Sequence, residues 1–213
     1  SQRIIDKNNK KIGQNSLVEW AIQCALTLFS KNQIVLVTDS RKSAQSGRQY
    51  GIEVLGRPAE ISTPESSTES VIEFVMENYP SEKYVLLQPT SPFRTSSDLK
   101  VCIDCFEKSS ACSIMSVALP WHSPKDLYTV SEDCEDSFIP RKILFEEDNQ
   151  YYFDTGAVYV FDAQLIRDKK PILDPSYTQA VKVNQMAFFD IDNEFQLDLA
   201  SAFFSISGWE INK

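Results

Sequence analysis

The sequence predicts an α/β fold: a three-layer sandwich in which helices cover both faces of a mostly parallel sheet. Two observations carry that reading. Short β-branched, apolar runs such as residues 34–37 and 84–87 alternate along the chain with stretches of helical period. The links between them are short, as expected when each strand reaches a parallel neighbour through a crossover helix.

Taken in order, residues 16–29 place Leu17, Trp20, Ala21, Cys24, Ala25 and Leu28 on one helical face. Residues 33–38 read as a strand stopping at Asp39. A polar helix follows over about 42–50, with Gly51 placed to end it in a left-handed conformation. Residues 53–55 form a brief strand, 67–79 a helix, 84–87 a strand, 98–107 a helix and 112–117 a strand. From about 118 to 149 the pattern breaks down among prolines and acidic residues. So long a structureless connection is unusual within a compact domain, and residues 118–150 are expected to be an insertion or interaction arm within one domain spanning 1–213. Strands are expected again at 151–161 and 186–191, and a last helix at 194–206.

The 213 residues are 42% hydrophobic, enough to bury a full core. A net charge of −9 argues against nucleic-acid or membrane-surface partners, which need basic patches. Of the five cysteines, Cys102 and Cys105 have metal-like spacing, but no second pair or nearby histidine completes a zinc site. Their helical spacing with Leu99, Ile103 and Phe106 places them in a core. The chain shows neither a signal peptide nor a long apolar run, so a reduced, cytoplasmic setting is the expectation.

Two stretches carry chemistry. The apolar run 84–87 ends at Gln88-Pro89-Thr90-Ser91-Pro92-Phe93-Arg94, where the two prolines hold polar side chains in one stiff loop. In open α/β sheets, ligands bind beyond the carboxyl ends of strands, where this loop lies. The second stretch is Asp190-Ile191-Asp192. In an extended segment these carboxylates point to one side with Ile191 inward, which suits a shared hard cation such as Mg²⁺. The plainer reading makes Asp192 a cap for the helix beginning near Asn193.

Residues 87–95, LQPTSPFRT, resemble the LQPTSPLRT signature of the acylneuraminate cytidylyltransferases, the makers of CMP-sialic acids. Further likenesses follow in the family's order. Ser1 to Asn8, SQRIIDKN, is similar to the tail of its nucleotide loop, and Arg57-Pro58-Ala59-Glu60 to its RPAEL element. Asp154-Thr155-Gly156-Ala157-Val158-Tyr159 is similar to ENGAIY, and Asp190 to Glu194 to the metal-binding DIDTE segment. The resemblance implies a Rossmann-like sheet of nucleotide-diphospho-sugar transferase type. It implies nucleotide contacts from Ser1, Lys7, Asn8, Arg57 and Thr68, and sugar contacts from Gln88, Thr155, Gly156 and Tyr159. It also implies Mg²⁺ on Asp190 and Asp192, with Lys7, Asp190 and Asp192 catalytic, CTP and a nonulosonic acid as substrates, and a homodimer in which the 118–150 arm reaches the partner's site.

Two departures stand out. The family opens with an apolar strand and an Arg-x-Gly before the nucleotide loop, which predicts that a strand belongs ahead of Ser1. Thr155 replaces an asparagine; shorter and without an amide donor, it is expected to leave room for a bulkier or less polar substituent, which opens the identity of the sugar to legionaminic or pseudaminic acid beside N-acetylneuraminic acid. A catalytically inactive sugar-nucleotide-binding module is the other open reading. Arg94 reads as part of an exposed helix start, and no role is assigned to it or to His122, Arg141 or Lys142.

Overall fold

The computed structural model describes residues 4–63, 66–121, 123, 128–134, 137–142, 150–209 and 211, with 128–134 and 137–142 in backbone only. After a 3₁₀ turn at Lys7–Asn9, a minimal hairpin of β1 (Lys11–Ile12) and β2 (Asn15–Ser16) leads into α1 (Leu17–Leu26). Ser16 and Glu19 close a capping box at its start, satisfying backbone N–H groups that have no partner in the first turn. Five of the six residues on the helical face read from the sequence, Leu17, Trp20, Ala21, Cys24 and Ala25, are in the interior, but the helix ends at Leu26 and the sixth, Leu28, lies beyond it and is exposed. Then come β3 (Val35–Thr38), α2 (Arg41–Tyr50), β4 (Glu53–Gly56), α3 (Thr68–Asn78), β5 (Lys83–Leu86), α4 (Ser96–Lys108) and β6 (Ser113–Ala118). The expected left-handed residue ends α2: Gly51 has φ 72°. The chain closes with β7 (Tyr128–Cys134), β8 (Ser137–Lys142), β9 (Phe153–Asp162), α5 (Ala163–Arg167), β10 (Thr178–Lys182) and α6 (Glu194–Ser207).

The main sheet runs β10-β6-β9-β5. Its β10 and β6 are parallel, and β9 lies antiparallel to both β6 and β5. The main core gathers under it from α1, α4 and α6 around Leu17, Leu99, Ile114, Val158 and Ile191. The strands β3 and β4 pair in parallel as a separate unit.

No ladder joins β3 to β5 among the described residues. Between them lies a slot of about 840 Å³, lined by the consecutive residues 34–38 on one side and 83–89 on the other. Side chains alternate along a strand, so an unbroken run of lining residues means that the cavity meets strand edges and not one face. Every residue of β3 is only half-buried, whereas β6 is buried at five of its six positions.

Three expectations change. The stretch 118–150 is not structureless, since β7 and β8 form an antiparallel hairpin within it. Residues 186–191 are not a strand: Gln185–Phe188 is a 3₁₀ turn whose start is capped by the Asn184 side chain. The last strand is β10, which the periodicity overlooks because it pairs on one side only and buries Val181 alone. The sheet is also more mixed than expected, because β9 opposes its neighbours. His122, Leu127 and Phe145 lie outside the described residues, as do the side chains of Tyr128, Phe138, Ile139, Arg141 and Lys142.

Candidate active site

The site is organised by a bulge in β9. Met115 faces Tyr159 across the ladder and Val117 faces Asp154, so two steps along β6 oppose five along β9. A bulge frees backbone groups from the ladder, and buried ones must be satisfied elsewhere. Here side chains do it. The Thr155 carbonyl accepts from Ser91 Oγ (3.3 Å), Gly156 N–H donates to Asp154 Oδ1 (3.0 Å), and Ala157 N–H donates to Thr155 Oγ1 (3.2 Å). The Ala157 carbonyl accepts from Arg94 Nη1 (2.5 Å), and Val158 N–H donates to Ser116 Oγ (2.9 Å). Gly156 adopts φ +65°, and a Cβ there would stand 3.0 Å from Gln88 Oε1.

Arg94, expected on an exposed helix start, is 1% exposed. Its second terminal nitrogen donates to the Gln88 carbonyl, so one guanidinium clamps the Gln88 loop to the bulge. Burial lowers it to about 10, opposed by Cys24 and Asp98, and it keeps its proton at neutral pH. Asp98 is the third helical residue of α4, where it closes a capping box with Thr95. It also accepts from Asn184 N–H (2.8 Å) and from the Asn184 side chain. Ile191 N–H donates to the Thr90 carbonyl (3.0 Å). The Gln88 loop, the bulge and the Asp190 segment are thereby one hydrogen-bonded body.

Ile191 is fully buried, as the alternation required, and Asp192 is exposed. Lys7 Nζ donates to Asp192 Oδ1 at 2.9 Å. Asp190 Oδ1 is buried without a hydrogen-bond partner among the described residues, an acceptor that a cation would satisfy. Asn193, not Asp192, caps α6 through its side chain, so the capping explanation of Asp192 falls away. Tyr159 donates its hydroxyl to Asp154 Oδ2 at 2.9 Å. Burial first, then the charges of Asp154 and Asp190, push its phenol well above the usual value.

These residues border a cleft of about 590 Å³. Gln88, Thr155, Gly156, Tyr159, Asp190 and Asp192 all line it, and Lys7 adjoins through Asp192. Thr155 belongs to the wall, but its side chain is 1% exposed and its hydroxyl is bound to Ser116 at 2.6 Å. It therefore leaves no extra room for a sugar substituent, contrary to the reading from sequence. Trp121, Phe153, Phe188 and Leu199 supply an apolar wall that sequence reasoning did not assign. Of the expected nucleotide set, Asn8 lines the slot between β3 and β5, and Arg57 folds back on the carbonyl of Ile61. Thr68 opens α3, away from the cleft; Ser1 lies outside the described residues. The Lys7 turn is anchored by Asn9, which sequence reasoning missed and which bonds Ser40 and Ser43 at the start of α2.

A lysine from a 3₁₀ turn, two carboxylates from an irregular segment and a polar loop meet beyond the strand ends of a Rossmann-like α/β fold. The likeness to solved structures bears this out for the fold. CMP:2-keto-3-deoxy-manno-octonic acid synthetase, solved with CTP, superposes with a TM-score of 0.69 over 97% of this chain and 95% of that one, at 14% identity. The chain belongs to the cytidylyltransferase family, whose sequence model matches residues 1–196. It is 24% identical over 204 residues to the N-acylneuraminate cytidylyltransferase of Escherichia coli, covering 94% of this chain but 48% of that protein. Against the CMP-N,N'-diacetyllegionaminic acid synthase of Legionella pneumophila it is 26% identical over 203 residues, 86% of each. The chain thus spans about half the length of the first of these relatives and most of the second.

Proposed function

We propose that the protein transfers CMP from CTP to a nonulosonic acid. The anomeric hydroxyl of the sugar acid attacks the α-phosphorus, the bond to the leaving pyrophosphate breaks, and the hydroxyl proton goes to solvent. The observation that carries the reading is the meeting of Lys7 and Asp192 beside Asp190, in a cleft that also holds Gln88 and Tyr159. Such chemistry needs chiefly positioning and neutralisation of charge. Lys7 is the cation beside the carboxylates and would hold phosphate oxygens as pyrophosphate departs. Gln88 and Tyr159, fixed by the Arg94 clamp and the bulge, would orient the sugar. Asp190 and Asp192 fit Mg²⁺, since Asp190 has an unpartnered buried oxygen and such ions favour one or two carboxylates with substrate phosphates. When bound, Mg²⁺ would neutralise phosphate charge and make the attacking hydroxyl more acidic.

Within this reading the apolar wall of Trp121, Phe153, Phe188 and Leu199 favours a sugar with apolar substituents, of the legionaminic or pseudaminic kind, over N-acetylneuraminic acid. The setting would be the cytoplasm. No helix among the described residues is long and apolar enough to cross a membrane. A homodimer joined through the β7–β8 hairpin fits too, and light scattering of the chain with and without residues 120–148 tests it: a monomer at micromolar concentration sinks arm exchange. Pyrophosphate release from CTP, measured with all three sugar acids and with and without Mg²⁺, tests the activity. No release with any of them overturns it.

A further inference from the structure

We propose that Asp154 is a specificity-determining residue that accepts a hydrogen bond from an N–H or O–H group of the sugar acid, flanked by an apolar part of that sugar. The proposal rests on the cytidylyltransferase reading of the cleft and names what the cleft selects.

Asp154 sits at the edge of the bulge and lines the cleft. Its two oxygens each take one bond from the protein, Oδ1 from Gly156 N–H (3.0 Å) and Oδ2 from the Tyr159 hydroxyl (2.9 Å). An ionised carboxylate offers about four lone-pair sites, so acceptor capacity remains on the cleft side. Those two bonds also fix the carboxylate's orientation before any substrate arrives. Tyr159 has a single proton and gives it to Asp154, so toward the cleft its oxygen presents only lone pairs. Two neighbouring groups thus both accept, and one bears a negative charge. The carboxylate of a sugar acid would be repelled here and must point elsewhere in the cleft. What fits against Asp154 is a donor. Phe153 is the next residue along β9 and Phe188 faces the same cleft, so apolar surface beside that donor is matched as well. Asp154 is half-buried, and once a bound sugar covers its remaining acceptor sites, an analogue lacking the donor leaves them unmet and is disfavoured.

Asp154→Asn reverses this pattern with little change of shape. Its oxygen can still accept from Gly156 N–H, which keeps the bulge. Its amide would donate to the Tyr159 oxygen and turn the phenolic proton toward the cleft. The test measures equilibrium binding of N-acetylneuraminic acid and N,N'-diacetyllegionaminic acid to the full chain in the presence of CTP and Ca²⁺, with turnover in Mg²⁺ run in parallel. N-methylated amide analogues and singly deoxygenated analogues identify whether the donor is an amide or a hydroxyl. In the wild type, removing the relevant donor should weaken binding roughly 10- to 100-fold, the range for a hydrogen bond to a charged group. Asp154→Asn should weaken the parent acid by a similar factor and bind parent and analogue alike, with CTP affinity changed less than about twofold. Should Asp154→Asn not fold, Tyr159→Phe asks the same question, since an unanchored Asp154 should discriminate less. Unchanged discrimination in the folded variant overturns the proposal, as does failure of both parent acids to bind the wild type. Discrimination lost on schedule, with no turnover in any sample, would uphold Asp154 and count instead against cytidylyl transfer.

Discussion

Lys7 and Asp192 stand 185 positions apart in the chain, and the fold brings their charged atoms to 2.9 Å. Asp192 keeps 66% of its side-chain surface in solvent, so the pair contributes little to stability. Its arrangement is instead that of a cation held ready beside two carboxylates. Asp190 lies just inward and ends in an oxygen without a partner. A charge pair that hardly stabilises the protein, next to an acceptor unsatisfied among the described residues, is what recommends this cleft for the proposed chemistry.

Asp192→Asn is therefore expected to lower turnover at least about 100-fold, the scale for removing a principal electrostatic element. Lys7→Met should raise the requirement for CTP as well, because the ammonium faces the phosphates in the proposed reaction. Steady-state kinetics with a thermal melt as folding control checks both. Turnover of folded Asp192→Asn within a fewfold of wild type would remove the assignment.

The buried guanidinium of Arg94 makes a separate prediction. Arg94→Met leaves the Ala157 and Gln88 carbonyls without their donor, and each unmet buried group costs about 1–3 kcal/mol. Loss of the clamp should also loosen Gln88 against Gly156. The expected outcome is a midpoint lowered by roughly 4–24 °C and a sugar-acid KM raised more than that for CTP. Arg94→Lys, reaching one carbonyl at most, should fall between. Equal changes in the two KM values would show that Arg94 supports the fold alone.

Thiol chemistry should separate the described cysteines cleanly. Cys24 is pushed up to about 11 by burial, with Arg94 opposing, and Cys102 up to about 12 by burial and Asp98. At pH 8 about one Cys24 thiol in a thousand would be ionised, and the thiolate is the form that reacts. Cys112 is exposed. Iodoacetamide followed by peptide mass mapping should label Cys112 in the native protein and spare Cys24 and Cys102. Rapid native labelling of either buried thiol would contradict the packing under the sheet.

Much of this was legible in the sequence, and the exceptions share a cause. Helical faces, the Gln88 loop and the Asp-Ile-Asp alternation are local patterns: the α1 face is buried except at Leu28, the loop lines the cleft, and Ile191 is buried between two cleft-lining aspartates although the segment is not a strand. The strand expected at 186–191 failed because an apolar run says that residues are buried, not that they are extended: Ala187, Phe189 and Ile191 are buried from a 3₁₀ turn and an irregular segment. Thr155 misled for a related reason. Its chemical difference from asparagine was visible, but whether the side chain faced the cleft or Ser116 depended on a bulge whose register no local pattern encodes. Arg94 was read as exposed from its place at a helix start, where arginines are usually solvated, and only the carbonyls freed by the bulge and the Gln88 loop explain its burial.

The slot between β3 and β5 yields the last prediction. Val35, Leu36 and Val37 on one side and Tyr84, Val85 and Leu86 on the other are apolar strand residues, yet all six are only half-buried. Two strand edges facing a shared gap can each pair with one inserted strand, which would also cover those side chains. Asn8 lines the slot, so a strand supplied ahead of Ser1 would reach it through the Lys7 turn. An apolar, β-branched hexapeptide joined at that point should raise the thermal midpoint by about 4–8 °C if its net contribution is about 2 kcal/mol. It should also slow amide exchange in β3 and β5 while leaving β10 unchanged. The same extension carrying a central proline loses a ladder donor and fits poorly in an inner strand, so it should do neither. Equal midpoints for the two extensions, with no added protection in β3 or β5, would show that the gap does not take a strand from that side.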